Sequence, residues 1–226
     1  MTQKPLYIDN LQYTNISPAH FDEMAVAGLS AVHVTICYHE NFRQTVENMI
    51  TWNRWVEAHP DRLMLGRTGD DVRQAHATGK TAIFYGFQNC APIEDDIGLI
   101  EIVHQLGARF MQLSYNNQSL LATGCYEDED PGITRFGKQA IAEMNRVGLV
   151  IDMSHSAHRS TLEALIFHLA LSQLPMQIQA GGIPPVEISL MRLLQPSLRQ
   201  AVCLVFRSIL TILPVAATAP LIVFVK

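Results

Sequence analysis

The chain has 226 residues, a formal net charge of −5 and a pI near 6.0, which leaves no basic surface for nucleic acid. Its length suits one ordinary domain, and residues 1–164 alone are long enough to bury a core. The opening MTQKPLYIDN lacks the apolar run of a signal peptide, and Cys37, Cys90, Cys125 and Cys203 form no CxxC pair, so free thiols in a reducing, cytoplasmic setting are expected.

In chain order, Tyr7–Ile8 opens a first strand. Ser17-Pro18 is an N-cap followed by proline at the first helical position, and Gly28 closes that helix. Ala31–Cys37 is β-branched and apolar, as a strand covered on both faces should be. Arg43–His59 carries Val46, Met49, Ile50, Trp52 and Val56 at helical spacing. A helix over Asp70–Thr78 stops at Gly79 before the strand Thr81–Phe87, and one over Asp95–Leu106 stops at Gly107 before Arg109–Tyr115. Thr134–Val147 stops at Gly148 before Leu149–Met153. The glycine between each of these last three helices and the strand that follows is the αβ-loop signature.

Repeated units of this kind imply parallel strands joined by right-handed crossovers. They fit either a doubly wound α/β sheet or the first part of a (β/α)8 TIM-type barrel. No GxGxxG or GxxxxGK[ST] follows any strand, which weakens a nucleotide-binding version.

In parallel α/β folds, reactive groups gather at the carboxyl ends of the strands. Those ends read Asp9-Asn10, Tyr38-His39-Glu40, Gln88-Asn89, Tyr115-Asn116-Asn117 and Ser154-His155, each polar and directly after an apolar run. Asp9 reads equally as a turn cap, and His39 and Glu40 as the start of a solvated loop. His155 suits a divalent metal as a neutral imidazole, or a hydrogen-bonded core histidine. The acid run Tyr126–Asp130 reads as a solvated loop.

The segment GITRFGKQAIAEMNRVGLVIDMSH, Gly132–His155, resembles the G-L-T-x-F-G…E-M-N-R-L-G…D-x-S-H stretch of the membrane (renal) dipeptidase family of zinc peptidases. Leu106–Asn117 is similar to that family's L-G-x-R-x-x-x-L-T-H-N strand, Ala82–Asn89 to its G-x-E-G strand, and Tyr7–Leu11 to its opening D-x-H-x-D strand. The resemblance implies a (β/α)8 barrel in which two zinc ions hold a bridging hydroxide that attacks a dipeptide. Carried over residue by residue, it puts the bridging Glu on Gln88 and the substrate-side His on Tyr115, the two catalytic positions. It places substrate-binding positions at Asn89, Asn116 and Asn117, and a small dipeptide-like substrate as partner. Of the metal ligands, only His155 matches by identity. Asp9 stands as the leading Asp, but DNLQY supplies no H-x-D, so at most one weak zinc site is expected.

After residue 168 the composition changes. Of 37 charged residues only Glu187, Arg192, Arg199, Arg207 and Lys226 follow Leu165, and prolines dot the segment. Read one base earlier, codons for Met176–Gly182 can encode HANPGGW, which is similar to the family's next metal-binding strand. Residues 1–168 are therefore expected to form the front of a dipeptidase-like barrel, and 169–226 to be an out-of-frame tail that does not complete it. The uncharged run Ser208–Val225 is broken by Pro214 and Pro220, so no membrane anchor is expected. Two functions remain: a dipeptidase-type hydrolase that is inactive in this copy, or a small-molecule-binding protein without paired metals.

Overall fold

The computed structural model describes residues 5–12, 16–173 and 221–224. Its strands are β1 (Leu6–Gln12), β2 (Leu29–Cys37), β3 (Leu63–Leu65), β4 (Thr81–Phe87), β5 (Ala108–Gln112), β6 (Val150–Asp152) and β7 (Leu221–Phe224). The helices are α1 (Pro18–Ala27), α2 (Phe42–Ala58), α3 (Gly69–Thr78), α4 (Gly98–Leu106), α5 (Arg135–Val147) and α6 (His158–Gln173). Every strand pairing is parallel, and the sheet order is β6-β5-β4-β2-β1-β7, with β3 beside the first half of β4.

From β1 to β6 the order follows the chain without reversal, so there is no topological switch point. That excludes the doubly wound alternative and leaves a partial (β/α) barrel. Two strands went unread in the sequence. Leu63–Leu65 is short and shares one edge of β4 with β5: Leu63–Leu65 pairs with Thr81–Ile83, and β5 takes over from Tyr85. Leu221–Phe224, inside the segment read as offering no strand, pairs in parallel with Leu6–Asp9. A run of four apolar residues suffices when a strand edge is already there to receive it. Residues 169–173 of the expected out-of-frame segment continue α6, and 174–220, with Cys203 and most of Ser208–Val225, lie outside the described residues.

The helix boundaries follow local capping. Thr68 accepts Asp71 N–H at 3.4 Å while the Asp71 carboxylate accepts Thr68 N–H at 2.7 Å, a reciprocal box at the start of α3. Asn41 and Gln44 do the same for α2. The helix expected from Asp95 begins instead at Gly98, because Asp96 turns its carboxylate onto Gly98 N–H at 2.8 Å and Ala91–Ile93 forms a short 3-10 turn.

Alternation along each strand splits the core in two. Val32, Val34 and Ile36 of β2, Ile83, Tyr85 and Phe87 of β4, and Met111 of β5 pack on Phe21, Met24, Met49, Trp52, Val103, Ile141 and Met144 of the helices. The intervening positions, Ala31, Ala82, Phe84, Phe110 and Val150, face the other way and meet Val72 and Ala75 of α3. The alanines give α3 room at the start of this second face, and farther along the strands the face turns polar.

One close approach organises that transition. A Cβ on Gly86 would overlap Nε2 of His33, so the absent side chain lets the His33 ring cross β4 and stack on Phe110, with centroids 4.4 Å apart and planes at 20°. Gly86→Ala is expected to destabilise the protein by about 1–3 kcal/mol through overpacking. The same change in a His33→Ala background is expected to be nearly neutral, and a double-mutant cycle of denaturation midpoints checks the coupling.

Candidate functional site

Beyond His33 the second face carries Thr35, Gln88, Gln112 and Asp152. Gln88 is buried, and its amide nitrogen donates to Thr35 Oγ1 at 3.1 Å. Gln112 donates to Asp152 Oδ2 at 3.1 Å, and Asp152 Oδ1 accepts Ser154 N–H at 2.9 Å, turning the chain at the end of β6. His33 is 4% exposed, and its Nδ1–H donates to the Asn10 carbonyl at 3.1 Å. Burial pushes the His33 pKa down to about 4, against opposing pulls from Asp152 and the Asn10 bond.

Above this layer the loops after β2, β4, β5 and β6 meet in a polar, aromatic rim. Glu40 accepts N–H groups from Tyr38 at 2.6 Å and His39 at 3.0 Å, which folds the β2 loop back. Asn89 Nδ2 donates to His39 Nδ1 at 3.1 Å, while its Oδ1 accepts Cys90 N–H. Tyr115 stands at the centre, edge-on to Tyr38 at 5.6 Å and His39 at 5.8 Å, and tilted on His155 at 4.5 Å. Each such ring pair adds roughly 0.5–1.5 kcal/mol beyond its buried area. Asn116 Oδ1 accepts from His155 Nδ1 at 2.7 Å. Burial lowers the His155 pKa, and the nearby Asp152 carboxylate opposes that shift.

The loop from Ser114 to Thr134 is pinned to the start of α6. Thr123 N–H donates to Ser160 Oγ at 3.0 Å, and the Ser114 and Ser156 hydroxyls meet at 2.8 Å. The acid run is only partly solvated: Asp128 and Glu129 are exposed, but Asp130 accepts Arg159 N–H at the α6 N-terminus and Glu127 accepts Gln118 N–H.

Of the residues singled out in the sequence, Tyr115, Asn116, His155 and Asn89 thus share one rim, with Gln88 in the layer beneath it. Asn117 is exposed, and its N–H closes a tight turn onto the Tyr115 carbonyl at 2.7 Å. Asp9 stands apart. It pairs with Val32, whose side chain belongs to the helix-side core, and its carboxylate accepts its own chain's Leu11 N–H at 3.3 Å. No contact among the described residues joins it to His155. Sequence reading placed Tyr38-His39-Glu40 at a strand end but took His39 and Glu40 as the start of a solvated loop, and it did not single out the buried His33, Gln112 and Asp152. The signal for Tyr38 and His39 was their place directly after β2.

The donor set does not fit a pair of zinc ions. Among the described residues no three His, Cys, Asp or Glu side chains come together as a metal site requires. The bridging position holds the uncharged carboxamide of Gln88, and a phenol stands at 115. The thiols of Cys37 and Cys90 are pushed up by burial and offer no thiolate.

A parallel, barrel-type sheet with its polar groups gathered at the strand carboxyl ends defines the class as a (β/α)-barrel protein. A family model for membrane dipeptidase (peptidase family M19) matches residues 13–179, and the chain belongs to that family. Dipeptidase tcpJ of Claviceps purpurea is 27% identical over 136 residues, covering 59% of this chain and 32% of its own length. An amidohydrolase from Pseudomonas aeruginosa superposes with a TM-score of 0.70 at 38% identity, over 72% of this chain and 50% of that one. The probable dipeptidase PvdM from the same organism matches with a TM-score of 0.63 at 18% identity, a likeness of fold, over 72% of this chain and 50% of its own. The chain spans a third to a half of the length of these relatives.

His33 gives the fold an acid sensitivity of known sign. Between the ordinary histidine pKa of 6.5 and about 4 the unfolded chain binds a proton that the folded chain does not. Stability should therefore fall as pH drops through that window, by on the order of 3 kcal/mol, and this contribution should be level above it. Urea midpoints across the window check it. His33→Phe should flatten the slope.

Proposed function

We propose that this chain is a dipeptidase-family hydrolase that has lost the paired-zinc chemistry, so that this copy does not hydrolyse dipeptides. One observation carries the reading. Where the resemblance expects a carboxylate bridging two cations, the neutral Gln88 side chain donates to Thr35 Oγ1 at 3.1 Å. A carboxamide brings no negative charge to share between two zinc ions, and its N–H repels rather than attracts a cation. Tyr115 at the substrate-side position, and Asp9 turned onto its own backbone, support the same conclusion.

A second reading, a small-molecule-binding protein without paired metals, is favoured by the rim itself. Tyr38, His39, Asn89, Tyr115, Asn116 and His155 are ordered by one another, and their donors and ring faces suit a dipeptide-like ligand. The free thiols Cys37, Cys90 and Cys125 support a reducing, cytoplasmic setting. The composition break after residue 168 supports a frameshift there, which the nucleotide sequence across codons 160–180, read in all frames, decides.

With zinc supplied, the chain is expected to show no dipeptide turnover and less than one bound zinc. Turnover with two zinc ions per chain would overturn this reading. Zinc-independent dipeptide binding by calorimetry, without turnover, would establish the second.

A further inference from the structure

We propose that Asn116 is a positioning residue that fixes the tautomer and ring orientation of His155, so that His155 presents an unprotonated Nε2 at the rim. The inference takes its functional meaning from the reading of the rim as the working part of the chain, but it concerns atoms that can be read without any turnover.

The chemistry follows from one contact. Asn116 Oδ1 lies 2.7 Å from His155 Nδ1. A carboxamide oxygen carries no proton, so Nδ1 must donate, and the neutral ring then has its lone pair on Nε2. A histidine free in water prefers the opposite tautomer, with the proton on Nε2. Cys125 Sγ approaches the same Oδ1 at 3.8 Å, a weak contact beside the short one to the ring.

The backbone is built around this bond. Among the described residues three non-glycine residues have a left-handed backbone, and two of them are Asn116 at φ 62° and His155 at φ 64°. Such conformations persist where the surroundings over-determine them. Here the Gly124–Tyr126 segment clamps both partners: Tyr126 N–H donates to the Asn116 carbonyl at 2.8 Å and Cys125 N–H to the His155 carbonyl at 2.9 Å. Gly124 pairs with Ser156, and a Cβ on it would overlap the Asn116 and Asn117 carbonyls. Tyr115 lies against the imidazole at 4.5 Å and restricts its rotation. The Asn116 carboxamide oxygen, read from sequence as a ligand contact, is already committed to the histidine.

The test is the nitrogen NMR of the histidine rings in the full chain, at a pH well above the imidazole titration range. His155 signals are identified by their loss in His155→Asn, a substitution that tolerates the left-handed backbone. The expected spectrum shows a protonated Nδ1 and an unprotonated Nε2. Asn116→Gly keeps the backbone and removes the acceptor, and should move the proton toward Nε2. Asn116→Asp should restore it to Nδ1, and Cys125→Ala should leave it there. A role confined to loop stability would lower the melting temperature of Asn116→Gly and leave the ring nitrogens unmoved. That result, or a wild-type spectrum with the proton on Nε2, overturns the proposal. Failure of the proposed function would appear in turnover and zinc content, which this measurement does not use.

Discussion

Seven strands running one way leave their carboxyl ends on a single edge, and the loops that follow have no choice but to share it. That constraint brings Tyr38 and His39, Asn89, Tyr115, Asn116 and His155 together from four separate stretches of chain. Strand alternation adds a second consequence. Because helices α1, α2, α4, α5 and α6 cover one face, the other face alone decides the environment beneath the rim. It grades from the alanines under α3, through the His33–Phe110 stack, to Gln88, Gln112 and Asp152.

Much of the polar layer is tied up by protein groups, while His33 Nε2 and Gln112 Oε1 stay buried without a hydrogen-bond partner among the described residues. Gln88 is held by Thr35 and Asp152 by Gln112 and Ser154 N–H. His33 is kept neutral by its burial, which costs the protein acid tolerance without placing a charge in the site. The hydrogen-bonded carboxamide of Gln88 orders its part of the layer without a counter-charge, whereas the Asp152 carboxylate is held by Gln112 and Ser154 N–H. The result is a layer ordered largely by its own hydrogen bonds.

Much of this was legible in the chain. Glycine after α1, α3, α4 and α5, and an apolar run after each, located β2, β4, β5 and β6 closely, and the rule that polar groups gather at strand ends picked out the rim residues Asn89, Tyr115, Asn116 and His155 with Gln88 beneath them. What escaped has physical reasons. β3 has three residues and β7 four, too few for a period to show, and each is stabilised by an edge supplied by distant sequence. His33 sits inside an apolar run, and nothing local announces that its ring crosses a glycine 53 residues away. Asp9 looked like a ligand because it ends a strand-like run, but alternation put it on the same side as Val32. Asp130 looked solvated because charge runs usually are, while its cap on α6 depends on a loop closure that spacing does not reveal.

The left-handed backbone at His155 also bears on how this position can drift. Glycine, asparagine and aspartate accept that conformation most readily, histidine acceptably, and β-branched residues hardly at all. Whatever chemistry the imidazole serves, geometry constrains the position as well. The loop clasp around Cys125 and Tyr126 holds that conformation, so β-branched replacements are disfavoured there. The choice of residue at this turn is thus bounded by backbone conformation as well as by whatever its ring contacts.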